Sequence, residues 1–352
     1  MVRQCGYLIR EAEPAEWQDM LREFPSHSVF HTLPWLETIR SVHGAQVRLM
    51  CAQTDTDGRC AAVWPVLTTR KGPLRVAGSP LPSWSTAYLG PLFNCNGDVN
   101  RVLDTFLKHE LFRKSAYFAC KVLNTGVPVD LSPHGFESVL EFETYCLDLT
   151  LPRETLWTNL KSECRTRIRK AEKLGITVRS EKTAEFIDEY WTMTIETFTY
   201  QQMQPPFPRQ FVEELWKRLR EGGRIRVLSA IMDGRRIATL VLPFDEHTMY
   251  YWAGASYGKY RGIPAHNLLH WEAICLAQDL GLQRYDFIST LGGAGRFKKT
   301  FGPQTVTMAT HWERCSSRLV KVLKDGYEQY LMRRQRISAI APLCGSLLQF
   351  AA

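Results

Sequence analysis

The chain has 352 residues, of which 45% are hydrophobic, 23% are charged and 11% are aromatic. This composition is enough for the cores of two domains and excludes a disordered chain, and the lack of repeats or biased tracts excludes a fibrous one. No apolar run reaches the roughly 18 residues of a membrane span, so we expect no transmembrane segment. Residues 1–13 contain no apolar stretch of the secretory kind. We therefore expect a globular, cytoplasmic protein.

Ten cysteines are scattered along the chain without a CxxC pair or the spacing of a zinc site. Most of them lie among apolar residues, where a thiol behaves as a small hydrophobic side chain. We therefore predict reduced cysteines and no bound metal, which is consistent with a cytoplasmic location.

Positive charge is concentrated in the second half of the chain. Residues 1–150 include 14 basic and 16 acidic residues, whereas the remaining 202 include 30 basic and 20 acidic ones. This excess predicts an anionic ligand there, such as a phosphate-bearing cofactor, RNA or an acidic surface. A hydrated basic face explains the charge equally well.

The first half alternates helical and strand-like patterns. We predict helices over 14–25, 32–43 and 99–113, the last capped by Asp98, and strands over 46–53, 60–69, 75–77, 117–123 and 139–149. The segment 151–153 has the character of a linker, so we expect one mixed α/β unit to end near residue 150.

The second half begins with a helix predicted over 154–174. Its basic residues recur every four positions, at 161, 165, 169 and 173, and could follow an RNA or nucleotide-sugar backbone or form the wet face of the helix. Further predicted elements are strands 176–180, 224–232, 236–245, 248–256 and 284–288 and helices 184–199, 211–221 and 265–280. Asp233-Gly234 predicts a tight hairpin between two of these strands.

A loop with basic residues and a glycine precedes the helix predicted over 265–280. Gly262 allows the backbone to approach a ligand, and the start of the helix attracts anions. The loop is similar to the pyrophosphate loop of GNAT acyltransferases, with Lys259 in place of Arg or Gln and Pro264 in place of a small residue. An ordinary strand-to-helix turn is the alternative.

A second motif follows the strand predicted over 284–288. The glycine-rich residues 292–295 lead into Arg296, Phe297, Lys298 and Lys299. Such a run can wrap around an anion or a developing oxyanion.

These segments, in this order, resemble the FemAB-type transferases, a family of tandem GNAT proteins that includes aminoacyl-tRNA-dependent peptidoglycan ligases and BioF-associated acyltransferases. The matching segments are His31–Leu36, Asn159-Leu160-Lys161 with Arg165, Ile168–Gly175, Tyr251–Ser256, Pro264 with Leu268–Ile274, Tyr285–Phe287 and Phe297–Gly302.

The resemblance implies a mixed α/β fold with two tandem GNAT-like domains, each a mixed, largely antiparallel sheet flanked by helices. The first domain is expected over residues 1–150 and the second over 151–315. The C-terminal helical segment, 316–352, is expected to pack back on the first domain.

The resemblance also implies catalytic roles. The lysine of the Phe-Lys pair stabilises the acyl-transfer intermediate in this family, and that role falls on Lys298. A fixed ammonium group lowers the barrier when an amine attacks an ester or thioester, because an oxyanion forms. Asp286 is the first candidate for the general base, followed by His266, His270 and Glu196, and water can also remove the proton.

The remaining assignments concern binding. We assign cofactor binding to Trp252, Lys259, Arg261, Gly262 and His266, and substrate binding to Phe297, Lys299, Tyr200 and Arg165. Tyr200 precedes a loop rich in proline and glutamine that either borders the acceptor site or caps the core.

We expect an N-acyltransferase that moves an acyl or aminoacyl group onto an amine of a cell-envelope or polysaccharide precursor. Acyl-CoA is favoured as the donor, and aminoacyl-tRNA is the alternative. A non-catalytic protein that binds an anionic glycan or RNA is the alternative from another class. Residues 333–350, a basic cluster followed by an apolar stretch, either pack on the first domain or contact an anionic membrane surface.

Overall fold

The computed structural model describes residues 6–94, 98–290 and 292–335. The chain divides into two compact units. The first contains the described residues up to Phe142 together with Thr307–Tyr327, and the second contains Glu143–Val306 and the described residues from Glu328 onward. This division falls inside a strand. The GNAT-like domain limits expected from the sequence stay a prediction.

Up to the division, the elements follow the predicted order closely. They are β1 (Tyr7–Glu11), α1 (Pro14–Arg22), α2 (Leu33–His43), β2 (Gln46–Thr54), β3 (Cys60–Lys71), β4 (Leu74–Ser79), β5 (Leu92–Phe93), α3 (Val99–Lys108), α4 (Glu110–Arg113), β6 (Tyr117–Leu123) and β7 (Glu137–Asp148). The helix predicted over 99–113 is wrong in one respect, because it breaks at His109 into α3 and α4. Asp98 precedes α3 but its side chain makes no capping hydrogen bond.

The rest of the described chain forms a second set of elements. They are α5 (Arg153–Asn159), α6 (Ser162–Lys173), β8 (Thr177–Ser180), α7 (Phe186–Tyr200), α8 (Arg209–Glu221), β9 (Ile225–Met232), β10 (Arg235–Pro243), β11 (Thr248–Tyr250), β12 (Ala253–Ser256), α9 (Ala265–Asp279), β13 (Arg284–Asp286), α10 (Gly292–Lys298), β14 (Gln304–Cys315) and α11 (Arg318–Gln335).

In the first unit the strands are ordered β1-β2-β3-β4-β6-β14-β7, with β5 beside β3. Strands β4 and β6 are parallel, whereas β1, β2, β3 and β4 pair antiparallel in sequence, as do β6 and β14. The core contains a ring cluster in which Trp64 contacts Phe106, Phe112 and Phe118. Val320 of α11 packs with Tyr117 in a smaller cluster of the same unit.

The second unit contains the antiparallel strands β8-β9-β10-β12 and the strand order β7-β13-β11, in which β11 and β13 are parallel. The predicted hairpin is confirmed, since Asp233 and Gly234 have φ angles of 49° and 72° between β9 and β10. Apolar residues of α6 and α9, among them Ile168 and Leu269, pack with those of β9 and β10 in one core.

The predicted strand 248–256 is wrong in an informative way. It consists of β11 and β12, which belong to different sets of strands because the chain leaves β13 at Tyr251 and Trp252 and pairs with β10 from Ala253 onward. Period-two patterning reports that a segment is extended, but it does not report which neighbour the segment pairs with.

The predicted helix 154–174 is also two helices. Leu160 and Lys161 have extended ψ angles of 139° and 148°, and the Lys161 N–H donates to the Thr300 carbonyl at 2.8 Å. The tertiary hydrogen bond thus replaces a helical one. Strand β13 ends at Asp286, before the predicted Ile288, because Ile288 has a φ of 64° that no strand accommodates.

Among the described residues, no helix is both long and apolar enough to cross a membrane. The proposed membrane-contacting stretch falls mostly outside the described residues, as do Cys5, Cys95 and Cys344.

We expect Gly302→Ala to lower the free energy of unfolding by about 2 kcal/mol or more. Gly302 has a φ of 73°, which costs a non-glycine residue about 1–2 kcal/mol, and a Cβ there would lie 2.3 Å from the Asn159 carbonyl oxygen. Gly281→Ala is the matched control, because its φ is 74° but no atom lies within 4 Å of the new Cβ. Urea unfolding of both variants measures the difference, and equal losses would contradict the steric argument.

Candidate active site

The second unit contains an opening where the two parallel strands β11 and β13 diverge. The last registered pair of β11 and β13 is Tyr250 with Asp286. The Tyr251 N–H still donates to the Asp286 carbonyl at 2.8 Å, but the Phe287 N–H donates to Tyr145 of β7 at 2.9 Å instead. Beyond this point β12 follows β10, so space opens between the strands.

Lys298, at the end of α10, places its ammonium group in this opening. The residue is 2% exposed. Its Nζ donates to the carbonyl oxygens of Phe287 at 3.0 Å and Ser289 at 3.3 Å, and lies 5.4 Å from the centroid of the Tyr251 ring. No carboxylate of the described chain forms an ion pair with it within 4 Å. Backbone dipoles and an aromatic ring therefore hold this cation.

Burial sets the electrostatics of the lysine. Loss of hydration lowers the pKa of Lys298 to about 8, and the negative charge of Asp286 opposes that shift. The group is therefore mainly protonated at neutral pH and loses its charge in the mildly alkaline range.

A strained turn aims the two carbonyl groups at Lys298. Ile288 has a φ of 64°, a conformation that is costly for a β-branched residue. The Asp286 carboxylate compensates, because its Oδ1 accepts the Ile288 N–H at 2.6 Å and the Thr144 hydroxyl at 2.5 Å. The structure thus shows Asp286 holding this turn. Its role as general base stays a prediction.

A cavity of about 50 Å³ adjoins Lys298. Its lining is mostly aromatic and apolar and consists of Tyr190, Thr194, Phe198, Pro206, Phe207, Tyr251, Trp252, Ala253, Gly254, Phe287, Ile288 and Lys298. Trp252 is stacked between Phe207 and Phe211, with centroid distances of 4.6 and 5.4 Å.

Of the predicted site residues, Lys298 and Trp252 line this cavity. The sequence analysis missed the contribution of α7, from which Tyr190, Thr194 and Phe198 face the cavity. Their spacing of four residues puts them on one side of a helix and was an available signal, but the same spacing is typical of any buried helix face.

Both histidines of α9 are uncharged at neutral pH, and His270 lies beside this region. Burial lowers the pKa of His266 to about 4 and the pKa of His270 well below its ordinary value. His270 Nδ1 is 2.9 Å from the Tyr285 hydroxyl, and its ring contacts Tyr251 edge-on at 4.4 Å. His270 therefore packs within the aromatic cluster, and a pKa of about 4 makes His266 a weak base at neutral pH.

The loop between β12 and α9 is tied to the end of α7. Arg261 stacks on the ring of Tyr200, with its guanidinium carbon 3.3 Å from the ring centroid. The Gly258 N–H donates to Glu196 at 2.8 Å. The carboxylate of Glu196 thus holds the backbone of the loop in place. At Gly262, in the same loop, a Cβ would meet no atom within 4 Å.

Three predicted substrate-binding residues lie elsewhere in the second unit. Arg165 donates to the carbonyls of Thr158, at 2.9 Å, and Leu160, and so caps the end of α5. Phe297 packs on His270 with a centroid distance of 5.5 Å, and Lys299 is exposed. These three and Tyr200 are absent from the lining of the cavity at Lys298.

We expect Asp286→Asn to lower the pKa of Lys298 below about 8. The amide keeps an oxygen for the Ile288 and Thr144 bonds but removes the negative charge that raises the pKa, while burial remains. NMR titration of lysine labelled at the ε-carbon measures the shift. Glu272→Gln, which removes an exposed carboxylate of α9, is the control, and an unchanged Lys298 pKa in Asp286→Asn would show that the Asp286 carboxylate has no such effect.

Residues 158–299 match the model of a family described as acetyltransferase (GNAT) domain. No curated protein matches the sequence significantly. Solved structures share the fold at low identity. FemX has a TM-score of 0.72 and 14% identity over 90% of this chain and 99% of its own.

Two other structures are similar. The C-terminal domain of a putative lysylphosphatidylglycerol synthetase from Agrobacterium fabrum has a TM-score of 0.57 and 12% identity over 90% of this chain and 97% of its own. A tandem GNAT protein from the clavulanic acid biosynthesis pathway has a TM-score of 0.55 and 10% identity over 89% and 99%. The mixed α/β fold and the predicted resemblance are confirmed. The chain is an acyltransferase with a GNAT acetyltransferase domain at residues 158–299 and the fold of FemX and the tandem GNAT proteins.

Proposed function

We propose that the chain transfers a short acyl or aminoacyl group from an activated donor to a primary amine of a cell-envelope or polysaccharide precursor. The observation that carries the proposal is the Lys298 ammonium group in the opening between β11 and β13, next to a cavity lined by aromatic rings. This arrangement presents one positive charge to a largely apolar space.

In the proposed reaction, the amine nitrogen attacks the carbonyl carbon of the donor and the carbonyl electrons move to oxygen. The C–S or C–O bond to the carrier then breaks, and the carrier leaves with that electron pair. An ammonium group has three N–H bonds. Two of those on Lys298 donate to Phe287 and Ser289, and the third is directed to the developing oxyanion. The low dielectric of the cavity strengthens that interaction.

The amine must also lose a proton. We assign this step to water, because Asp286 Oδ1 already accepts two hydrogen bonds and the pKa of His266, about 4, makes that residue a weak base. Asp286 is then a positioning residue that acts through the turn at Ile288 and through the charge of Lys298.

Acyl-CoA is the favoured donor, and its support is the GNAT acetyltransferase family match. The loop 257–264 would hold the phosphates of such a donor. Aminoacyl-tRNA is the second candidate, supported by the fold shared with the putative lysylphosphatidylglycerol synthetase, whose name denotes aminoacyl transfer. The cysteines of the described chain, such as Cys120 and Cys164, are free thiols, consistent with a reaction in the cytoplasm.

We expect Lys298→Ala to reduce the transfer rate about 100-fold or more, the usual effect of losing one oxyanion donor. Lys299→Ala, at the exposed neighbouring lysine, should retain the wild-type rate. Steady-state kinetics with acetyl-CoA and a primary-amine acceptor measure both. The ratio of the wild-type rate to the Lys298→Ala rate should fall as the pH rises above about 8, because the ammonium group of Lys298 loses its proton. Near-normal turnover of Lys298→Ala would refute the assignment.

We expect Phe207→Ala to admit longer acyl groups. The cavity of about 50 Å³ has room for only a few heavy atoms, and Phe207 forms part of its wall. The rate ratio of octanoyl- to acetyl-CoA should rise at least 10-fold, the lower end of what one methylene group contributes to specificity. Trp191→Ala is the control. The Trp191 ring lies beside the Phe207 ring, with a centroid distance of 6.5 Å, but it does not line the cavity. If the wild type uses no thioester, the same comparison is made with alanyl- and leucyl-tRNA. An unchanged ratio would contradict the proposed cavity limit.

A further inference from the structure

A second and larger cavity, of about 510 Å³, lies in the same unit on the other side of α7. Glu185, directly before the helix, and Glu189 face this cavity, whereas Tyr190, Thr194 and Phe198 face the cavity at Lys298. Because an α-helix turns by 100° per residue, these two sets lie on opposing sides of α7. The two cavities are therefore separate.

Basic side chains from three elements converge on this cavity. They are Arg179 of β8, Arg235 and Arg236 at the turn into β10, and Lys259 of the loop after β12. Tyr257 and Tyr260 of the same loop line the cavity next to these basic side chains.

Arg236 pairs with two of the nearby carboxylates. It is 6% exposed and donates to Glu181 at 3.0 Å, to the Ser229 hydroxyl at 3.1 Å and to Glu189. Arg179 contacts the same Glu181 at 3.2 Å. Arg236 is therefore held in place in the wall of the cavity, and the carboxylates of Glu181 and Glu189 are already paired.

Arg235 and Lys259 supply the remaining charge. Neither forms an ion pair with another described residue, and both are exposed toward the cavity. The Lys259 Nζ lies 5.0 Å from the ring centroid of Tyr260 and 5.8 Å from that of Tyr257, which restricts where the ammonium group lies. Glu185 is the one acidic lining residue, within the described chain, that has no basic partner. The cavity therefore keeps an excess of positive charge.

We propose that this cavity binds a phosphate-bearing ligand. Guanidinium groups match the geometry of phosphate oxygens, and the volume lies in the range of small-molecule sites. The site is distinct from the start of α9, because Arg261, Gly262 and His266 do not line it. Lys259 also belongs to the loop 257–264, which would hold the phosphates of the acyl donor under the proposed function, whereas Arg235 lies outside that loop, so the Arg235 variant separates the two assignments.

The test is binding of three probes to the full chain by calorimetry at 50 and 200 mM salt: inorganic pyrophosphate, CoA and unfractionated tRNA. We expect Arg235→Glu and Lys259→Glu each to weaken binding at least 10-fold. Lys217→Glu, the same charge change on the exposed side of α8, should bind as the wild type does. Binding of pyrophosphate identifies phosphate as sufficient, binding of CoA alone indicates a nucleotide, and binding of tRNA alone with a steep salt dependence indicates a polynucleotide.

Three results would overturn the proposal. The first is that the wild type binds none of the three probes at 50 mM salt. The second is that Arg235→Glu and Lys259→Glu bind as tightly as Lys217→Glu. The third is that Arg261→Ala abolishes binding while Arg235→Glu does not, which would place the phosphates at the loop before α9. Arg235 and Lys259 are exposed, so thermal unfolding should confirm that all the variants fold.

Discussion

The second unit depends on holding one ammonium group in a place that is almost fully shielded from bulk solvent, because Lys298 is 2% exposed. A buried cation without a carboxylate partner is costly, and here the compensation comes from two carbonyl groups, an aromatic ring and the more distant charge of Asp286. A carboxylate in direct contact would stabilise the cation better but would also neutralise the field that an oxyanion needs. The arrangement therefore gives up stability for a charge that remains available.

Several features of the fold are explained by this constraint. The change of pairing partner at Tyr251 and Trp252 creates the opening, and the left-handed conformation of Ile288 aims carbonyl groups into it. The hydrogen bond from Lys161 to Thr300 joins the α5–α6 break to the segment just after Lys298. Elements that are distant in sequence thus fix the position of a single nitrogen atom.

Helix α7 separates two different environments. One side borders an aromatic space of about 50 Å³ that suits a small uncharged group, and the other borders a cavity of about 510 Å³ with excess positive charge. The positive charge of residues 151–352 is thus partly accounted for by side chains that converge on one place. The basic residues that recur every four positions along α6 are not explained in this way, because one of them, Arg165, caps α5.

The sequence alone predicted most of the helical and extended segments and the hairpin at Asp233-Gly234, and it singled out Lys298 as the catalytic candidate, because propensity, turn chemistry and motif order are local properties. It could not reveal that residues 248–256 change partners, that residues 160 and 161 break a helix, or that Tyr190, Thr194 and Phe198 wall the cavity. Those outcomes depend on hydrogen bonds and packing between residues far apart in the chain. The tertiary structure also decided where Arg165 and Glu196 bind, since a charged side chain takes whichever carbonyl or amide group the fold brings within reach.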